Sequence, residues 1–122
     1  MKKILLIDDE PELTELVKLR LENQGYEVLV ANDGISGLSL AREHNPDLII
    51  LDVMLPGLDG YKICRLIKFD EKHKHIPVMV FTARVGEDDQ KLSRQMGADA
   101  YLPKPFEPNI FLKKVKELLK DK

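Results

Sequence analysis

One cysteine, Cys64, is all the thiol chemistry that the 122 residues carry. An internal disulfide is therefore excluded, and a reducing compartment, the cytoplasm, is expected. Long apolar runs are missing as well. None approaches the ~20 residues that a helix needs to span a bilayer, so no membrane segment is expected. The first apolar stretch, Ile4-Leu5-Leu6-Ile7, meets Asp8-Asp9-Glu10 too soon to read as a secretory signal. No Asn-x-Ser/Thr sequon occurs. Neither sign of charge is in large excess: 19 Lys and Arg stand against 21 Asp and Glu, a net charge of −2. That balance argues against direct nucleic-acid binding, because phosphate contacts need a basic surplus. What is present, 43% hydrophobic and 33% charged residues, is the mixture of a folded domain. The length suffices for a single core without disulfides or a structural metal.

Apolar segments alternate between two periods along the chain. Lys3–Ile7 is a short continuous apolar run, the mark of a strand buried on both faces. Pro11–Asn23 reads as a helix with Leu13, Leu16, Val17 and Leu21 on one face, Pro11 at its start and Gly25 as its stop. Glu27–Ala31 reads as the second strand, and Asn32-Asp33-Gly34 as a turn. A short helix follows, marked by Ile35, Leu38 and Ala41. Asp47–Leu51 is the third strand, Leu55–Gly60 a loop, and Tyr61–Phe69 a helix with Ile63, Cys64 and Ile67 aligned. Asp70–His75 reads as a charged connection with exposed histidines, and Ile76–Phe81 as the fourth strand. Glu87–Met96 is a weakly amphipathic helix stopped by Gly97, and Asp99–Leu102 a short fifth strand. The last helix, from Phe106 onward, carries Phe111, Leu112, Val115, Leu118 and Leu119 as its stripe. Five alternations of strand and helix imply an α/β domain, a parallel sheet built from right-handed βαβ units and covered on both faces.

Ligands of open α/β sheets bind beyond the carboxyl ends of the strands. At that edge the sequence places Asp8, Asp9 and Glu10 after the first strand and Asp52 after the third. Thr82, Ala83 and Arg84 follow the fourth, and Lys104 and Pro105 the fifth. Carboxylates meeting there repel: at ~4 Å and an effective dielectric of ~20, each like-charge pair costs roughly 4 kcal/mol. A cation, or a protonated acid, is needed to hold them together. An oxygen-only site with open positions suits Mg²⁺ (or Mn²⁺), which accepts a phosphate oxygen. Lys104 adds a point charge of the kind that binds phosphate, and Thr82 a hydroxyl donor. Together these suggest phosphoryl transfer to an aspartate nucleophile.

Four stretches then carry a resemblance over essentially the whole chain. They are Ile7-Asp8-Asp9-Glu10, Leu51-Asp52-Val53-Met54-Leu55-Pro56-Gly57-Leu58-Asp59-Gly60, Phe81-Thr82-Ala83, and Tyr101-Leu102-Pro103-Lys104-Pro105-Phe106. In this order, at the ends of strands one, three, four and five, they resemble the receiver domain of bacterial response regulators. The resemblance implies a doubly wound (βα)5 flavodoxin-like sandwich of strand order 2-1-3-4-5, with residues 1–122 as one receiver domain. It implies that Asp52 accepts a phosphoryl group from a phosphohistidine, on a sensor histidine kinase or a histidine phosphotransfer protein. Asp9 would be the direct Mg²⁺ ligand and Asp8 would act largely through water, with Asp52 and the backbone carbonyl of Met54 completing the set. Thr82, Ala83 and Lys104 would surround the phosphoryl group, and the Lys104–Pro105 bond would be cis. Thr82 and Tyr101 would form the switch pair, biasing a surface of the fourth helix, fifth strand and fifth helix toward an output domain, a protein partner or a phosphorylation-dependent dimer. Met54 and Arg84 would tune hydrolysis of the acyl phosphate.

The sequence departs from the DNA-binding members in two places: Asp99-Ala100 stands where two acids precede the tyrosine, so one dimer salt bridge is expected to be missing, and the long Asp70–His75 connection is closer to that of single-domain or cyclase-linked receivers. No output domain is expected after the last helix. The kinase-facing surface is expected on the first helix, around Leu13, Thr14 and Val17. Two rivals remain. A metal-dependent phosphatase with an aspartate nucleophile would carry a second aspartate where Met54 stands. A phosphate-independent interaction module would not need the full set of acidic, threonine and lysine positions.

Overall fold

A computed structural model describes residues 1–53, 60–82 and 87–120. Met54, Ala83 and Arg84, and all of the expected loop Leu55–Gly60 except Gly60 itself, lie outside them. Five strands, β1 (Lys3–Ile7), β2 (Glu27–Ala31), β3 (Leu48–Leu51), β4 (Val78–Thr82) and β5 (Ala100–Pro103), alternate with five helices. The helices are α1 (Pro11–Asn23), α2 (Gly34–His44), α3 (Gly60–Lys68), α4 (Glu87–Gln95) and α5 (Pro108–Leu119). The strands form one parallel sheet in the order β2-β1-β3-β4-β5.

The two-residue period of the strands divides the core in two. On one face Ile4, Leu6, Ile50 and Phe81 pack against Val17 and Leu21 of α1 and Phe111 and Val115 of α5. On the other, Leu5, Ile7, Ile49 and Leu51 pack against Ala41 of α2 and Ile63, Cys64 and Ile67 of α3. Apart from Lys3 at the start of β1 and Thr82 at the end of β4, the central strands are apolar because both faces are covered. Burial pushes the Cys64 thiol up to about 12, so it stays a protonated core residue.

Helix ends follow local chemistry. Pro11 opens α1, and Gly25, at φ +92°, follows its close. The expected turn at Asn32-Asp33-Gly34 is instead a helix start. Asp33 caps α2 by accepting the Ser36 amide at 2.8 Å, and Gly34 is already helical. The last helix starts at Pro108 rather than Phe106, because the Glu107 carboxylate accepts the Asn109 and Ile110 amides. β4 begins at Val78 rather than Ile76, where the Asp99 carboxylate takes the Val78 amide. The same Asp99 oxygen lies 2.8 Å from Lys68 Nζ, so this acid closes the N-terminal edge of the sheet.

Four expectations about burial are corrected. Ile35 is 69% exposed, and Leu16 48%, because each stands at the rim of its helix's apolar face. Thr14 is buried, with its hydroxyl donating to the Pro11 carbonyl at 2.9 Å. His73 is not an exposed loop residue: it is only 7% exposed, and its Nδ1 pairs with Asp70 at 2.6 Å across a tight turn. That contact, with the Lys72 amide, holds the Asp70 carboxyl below the usual range.

Candidate functional site

The strand register brings the candidate residues to one edge. Ile7 pairs with Ala31 and Leu51, Leu51 with Val80, and Thr82 with Pro103, so the strands end almost level. The ladder runs one residue further. The Asp8 amide donates to Ala31, the Asp52 amide to Ile7, and the Lys104 amide to Thr82. Each chemistry-bearing side chain thus leaves a backbone position that is itself hydrogen-bonded into the sheet.

Lys104 is the centre of the site. Its Nζ lies 2.9 Å from Asp8, 2.9 Å from Glu10 and 3.0 Å from Asp52. It also stands over the Phe81 ring, 4.7 Å from the centroid. The bond that follows, Lys104–Pro105, is cis. Asp8 and Asp52 are buried, as is Thr82 at the end of β4, while Glu10 is exposed. Asp8 divides its oxygens: one accepts the Glu10 amide at 3.0 Å and the other faces Lys104.

Burial raises the Asp8 pKa, and the Asp52 charge adds to the rise. The Glu10 amide and Lys104 oppose it without cancelling it. Burial alone would pull the Lys104 pKa down, but its bonds to Asp8, Glu10 and Asp52 outweigh that, and the net shift is upward. Among the described residues, two buried carboxylates and one rim carboxylate thus share the Lys104 ammonium.

Carboxylate oxygens of Asp8, Glu10 and Asp52 lie within 4.8 Å of one another. This set of hard oxygen donors fits a small divalent cation such as Mg²⁺. The expected ligand Asp9 is not in that group. In the extended segment before α1, side chains alternate, so Asp8 and Glu10 share a direction and Asp9 is left exposed. Glu10, which the sequence places at this edge, is the residue to which sequence reasoning gave no role. Its signal was the spacing Asp8-x-Glu10. At the N-cap position of α1 it makes no side-chain cap, and its carboxylate goes to Lys104.

Tyr101, half-buried on β5, pairs with Val80 in register and borders the hollow between α4 and β5 with Ser93 and Asp99. Thr82 stands two residues further along β4 than that pair. Beside the acidic site, an apolar groove of about 390 Å³ runs between α1 and the start of α5, lined by Leu13, Leu16, Val17, Phe106 and Pro108.

Comparison with known proteins agrees with this geometry. The model of the response regulator receiver domain family matches residues 4–116. The DNA-binding dual master transcriptional regulator RpaA of Synechocystis sp. is 44% identical over 120 residues, 98% of this chain and 50% of that protein. The chain spans about half the length of the curated relatives it matches. A CheY-like receiver domain protein from Methanospirillum hungatei superposes with a TM-score of 0.92 at 29% identity, covering 98% of this chain and 94% of that one. The receiver domain of the sensor histidine kinase PA1611 from Pseudomonas aeruginosa, solved with magnesium in its active-site cleft, gives 0.89 at 30% identity, covering 98% of both chains. Sequence, sheet order and site geometry agree: the chain belongs to the response regulator receiver domain family.

Proposed function

We propose that the whole chain, residues 1–122, acts as one phosphorylation-controlled switch in a two-component or phosphorelay pathway, with Asp52 as the phosphoacceptor. The observation that carries this reading is the Lys104 ammonium, held at 2.9–3.0 Å from Asp8, Glu10 and Asp52 at the carboxyl edge of the sheet. A carboxylate oxygen of Asp52 attacks the phosphorus of a phosphohistidine. The O–P bond forms as the N–P bond breaks, and the leaving imidazole nitrogen keeps the electron pair and takes up a proton. Water later attacks the phosphorus, releasing inorganic phosphate and restoring the carboxylate.

Lys104 would follow the charge from the carboxylate to a phosphoryl oxygen, and Thr82 would donate its hydroxyl to another. Asp8 and Asp52 with Glu10 would hold Mg²⁺, with Asp9, favoured by the family resemblance, as the alternative third carboxylate. When bound, the metal neutralises charge on the phosphoryl oxygens. Movement of Thr82 would bias Tyr101 and the α4–β5–α5 surface toward an output partner, an output domain or a second copy. The phosphodonor, a histidine kinase or histidine phosphotransfer protein of the cytoplasm, would seat on α1 beside the acidic site.

The test is the intact mass after incubation with acetyl phosphate, with and without Mg²⁺. The expected result is one Mg²⁺-dependent phosphoryl adduct, labile to hydroxylamine and absent from Asp52→Asn. A folded protein that takes no adduct from any donor favours the phosphate-independent interaction module. Continuous release of inorganic phosphate from a phosphate ester would favour a phosphatase.

A further inference from the structure

Among the described residues Lys104 meets four groups, and three of them change character in the proposed reaction. Asp52 would become an acyl phosphate, and Asp8 and Glu10 are carboxylates that a divalent cation would draw. The fourth contact is the face of Phe81, 4.7 Å from the ammonium. Its π-electrons are unaffected by phosphorylation or by metal. A cation within about 6 Å of an aromatic centroid is attracted to the ring face, more strongly where water is excluded. Phe81 is fully buried and the Lys104 side chain is 11% exposed, so the contact is largely dry.

The ring belongs to a row of packed aromatics. Phe106 packs on it at 5.8 Å between centroids and 56° between planes, and Phe111 of α5 backs Phe106 at 4.9 Å and 31°. We propose that Phe81 is a positioning residue for phosphoryl transfer: its ring face holds the Lys104 ammonium at the sheet edge while the lysine's anionic partners are exchanged. The inference rests on the reading of Asp52 as phosphoacceptor. Phe81 acts through Lys104 and does not itself meet the phosphoryl group.

The experiment replaces Phe81 alone by 4-fluoro-, 3,5-difluoro- and 3,4,5-trifluorophenylalanine. Fluorine withdraws electron density from the ring face and leaves its shape nearly intact. The rate of adduct formation from acetyl phosphate and Mg²⁺ is expected to fall step by step, by about three- to ten-fold at the trifluoro ring. Phe81→Leu is expected to fall at least as far. The same series at the exposed Phe69, which lies under Arg65 at 5.9 Å, is expected to leave the rate unchanged. A flat series at position 81 in a protein that is phosphorylated on Asp52 overturns the role of Phe81 and leaves the acceptor assignment standing. The second readout needs no phosphorylation: the Lys104 ε-methylene protons should be shifted upfield by the ring, and Phe81→Leu should abolish that shift. If the wild type takes no phosphoryl group, the acceptor reading fails and this shift decides the contact. Its presence supports Phe81 as the hold on Lys104, and its absence overturns it.

Discussion

Asp8 and Lys104 are 96 residues apart in the chain and 2.9 Å apart in the fold. The pair closes the sheet edge, since Asp8 follows β1 and Lys104 follows β5, the strand at the far edge of the sheet. Removing the lysine takes away the ammonium that faces both buried carboxylates, Asp8 and Asp52. Breaking a buried pair in this way costs about 3 kcal/mol or more. Lys104→Met is therefore expected to lose that much stability in urea unfolding at neutral pH. Because the stranded acids are also the proposed metal ligands, millimolar Mg²⁺ should restore at least about 1 kcal/mol of it. Equal midpoints for Lys104→Met with and without Mg²⁺ would contradict the metal assignment.

The raised pKa of Asp8 sets a pH dependence of unusual sign for a carboxylate. Between the unfolded value of 3.8 and the higher folded value, the native state binds a proton that the unfolded chain does not. Stability linked to Asp8 therefore falls as pH rises through that window and levels off above the folded pKa. Asp8→Asn removes this component. Relative to the variant, the wild type should lose ground as pH rises from 4 toward neutrality, and Asp8→Asn should be the more stable protein at pH 7 without metal. Parallel urea midpoints for the two proteins across that range would show that Asp8 titrates normally.

Much of this arrangement is legible in the sequence, and the failures have identifiable causes. β1, α1 and β2 begin and end where apolar runs meet Asp8, Gly25 and Asn32, because a continuous run followed by a polar or glycine residue has few alternatives. Asp8, Asp52, Thr82 and Lys104 are each the last residue of a strand or the first beyond it, so topology alone gathers them. Contacts made by side-chain reach are not legible in this way. Choosing between Asp9 and Glu10 depends on which way an extended residue points, and Phe81 is an ordinary core residue until its ring is found under an ammonium. His73 reads as solvated in a charged stretch, because nothing local announces that Asp70 folds back on it.

Gly60 is required by the carbonyl that precedes Val53. A Cβ at position 60 would stand 2.4 Å from Val53 Cα and 2.7 Å from the Asp52 carbonyl oxygen, both backbone atoms that cannot swing aside. Gly60→Ala is expected to cost at least about 2 kcal/mol, within the range for overpacking. Because the strain falls on the Asp52 peptide, the yield of phosphoryl adduct should drop in the fraction that remains folded. At Gly37 the atoms nearest the added methyl belong to the Ile7 side chain, the first at 2.6 Å, rather than to backbone, so Gly37→Ala should cost less and keep the adduct. Equal losses of adduct in the two variants would detach the Asp52 geometry from Gly60.

Leu16 separates docking of the phosphodonor from chemistry. It is 48% exposed, lines the groove beside Lys104 with Leu13 and Val17, and carries no polar group of the site. Leu16 is half-exposed, makes no helix cap and carries no charge, so Leu16→Ser should shift stability by no more than about 0.5 kcal/mol. A small phosphodonor such as acetyl phosphate needs no groove, and its rate should be unchanged. On the proposed docking, a phosphorylated histidine protein would cover the groove as it brings its phosphorus to Asp52, and interface anchors cost 2 kcal/mol or more when truncated, about thirty-fold in rate. The ratio of the two rates is the readout, because it cancels any general effect on Asp52. A thirty-fold fall in the ratio places the donor on α1, and an unchanged ratio moves the donor surface away from this groove.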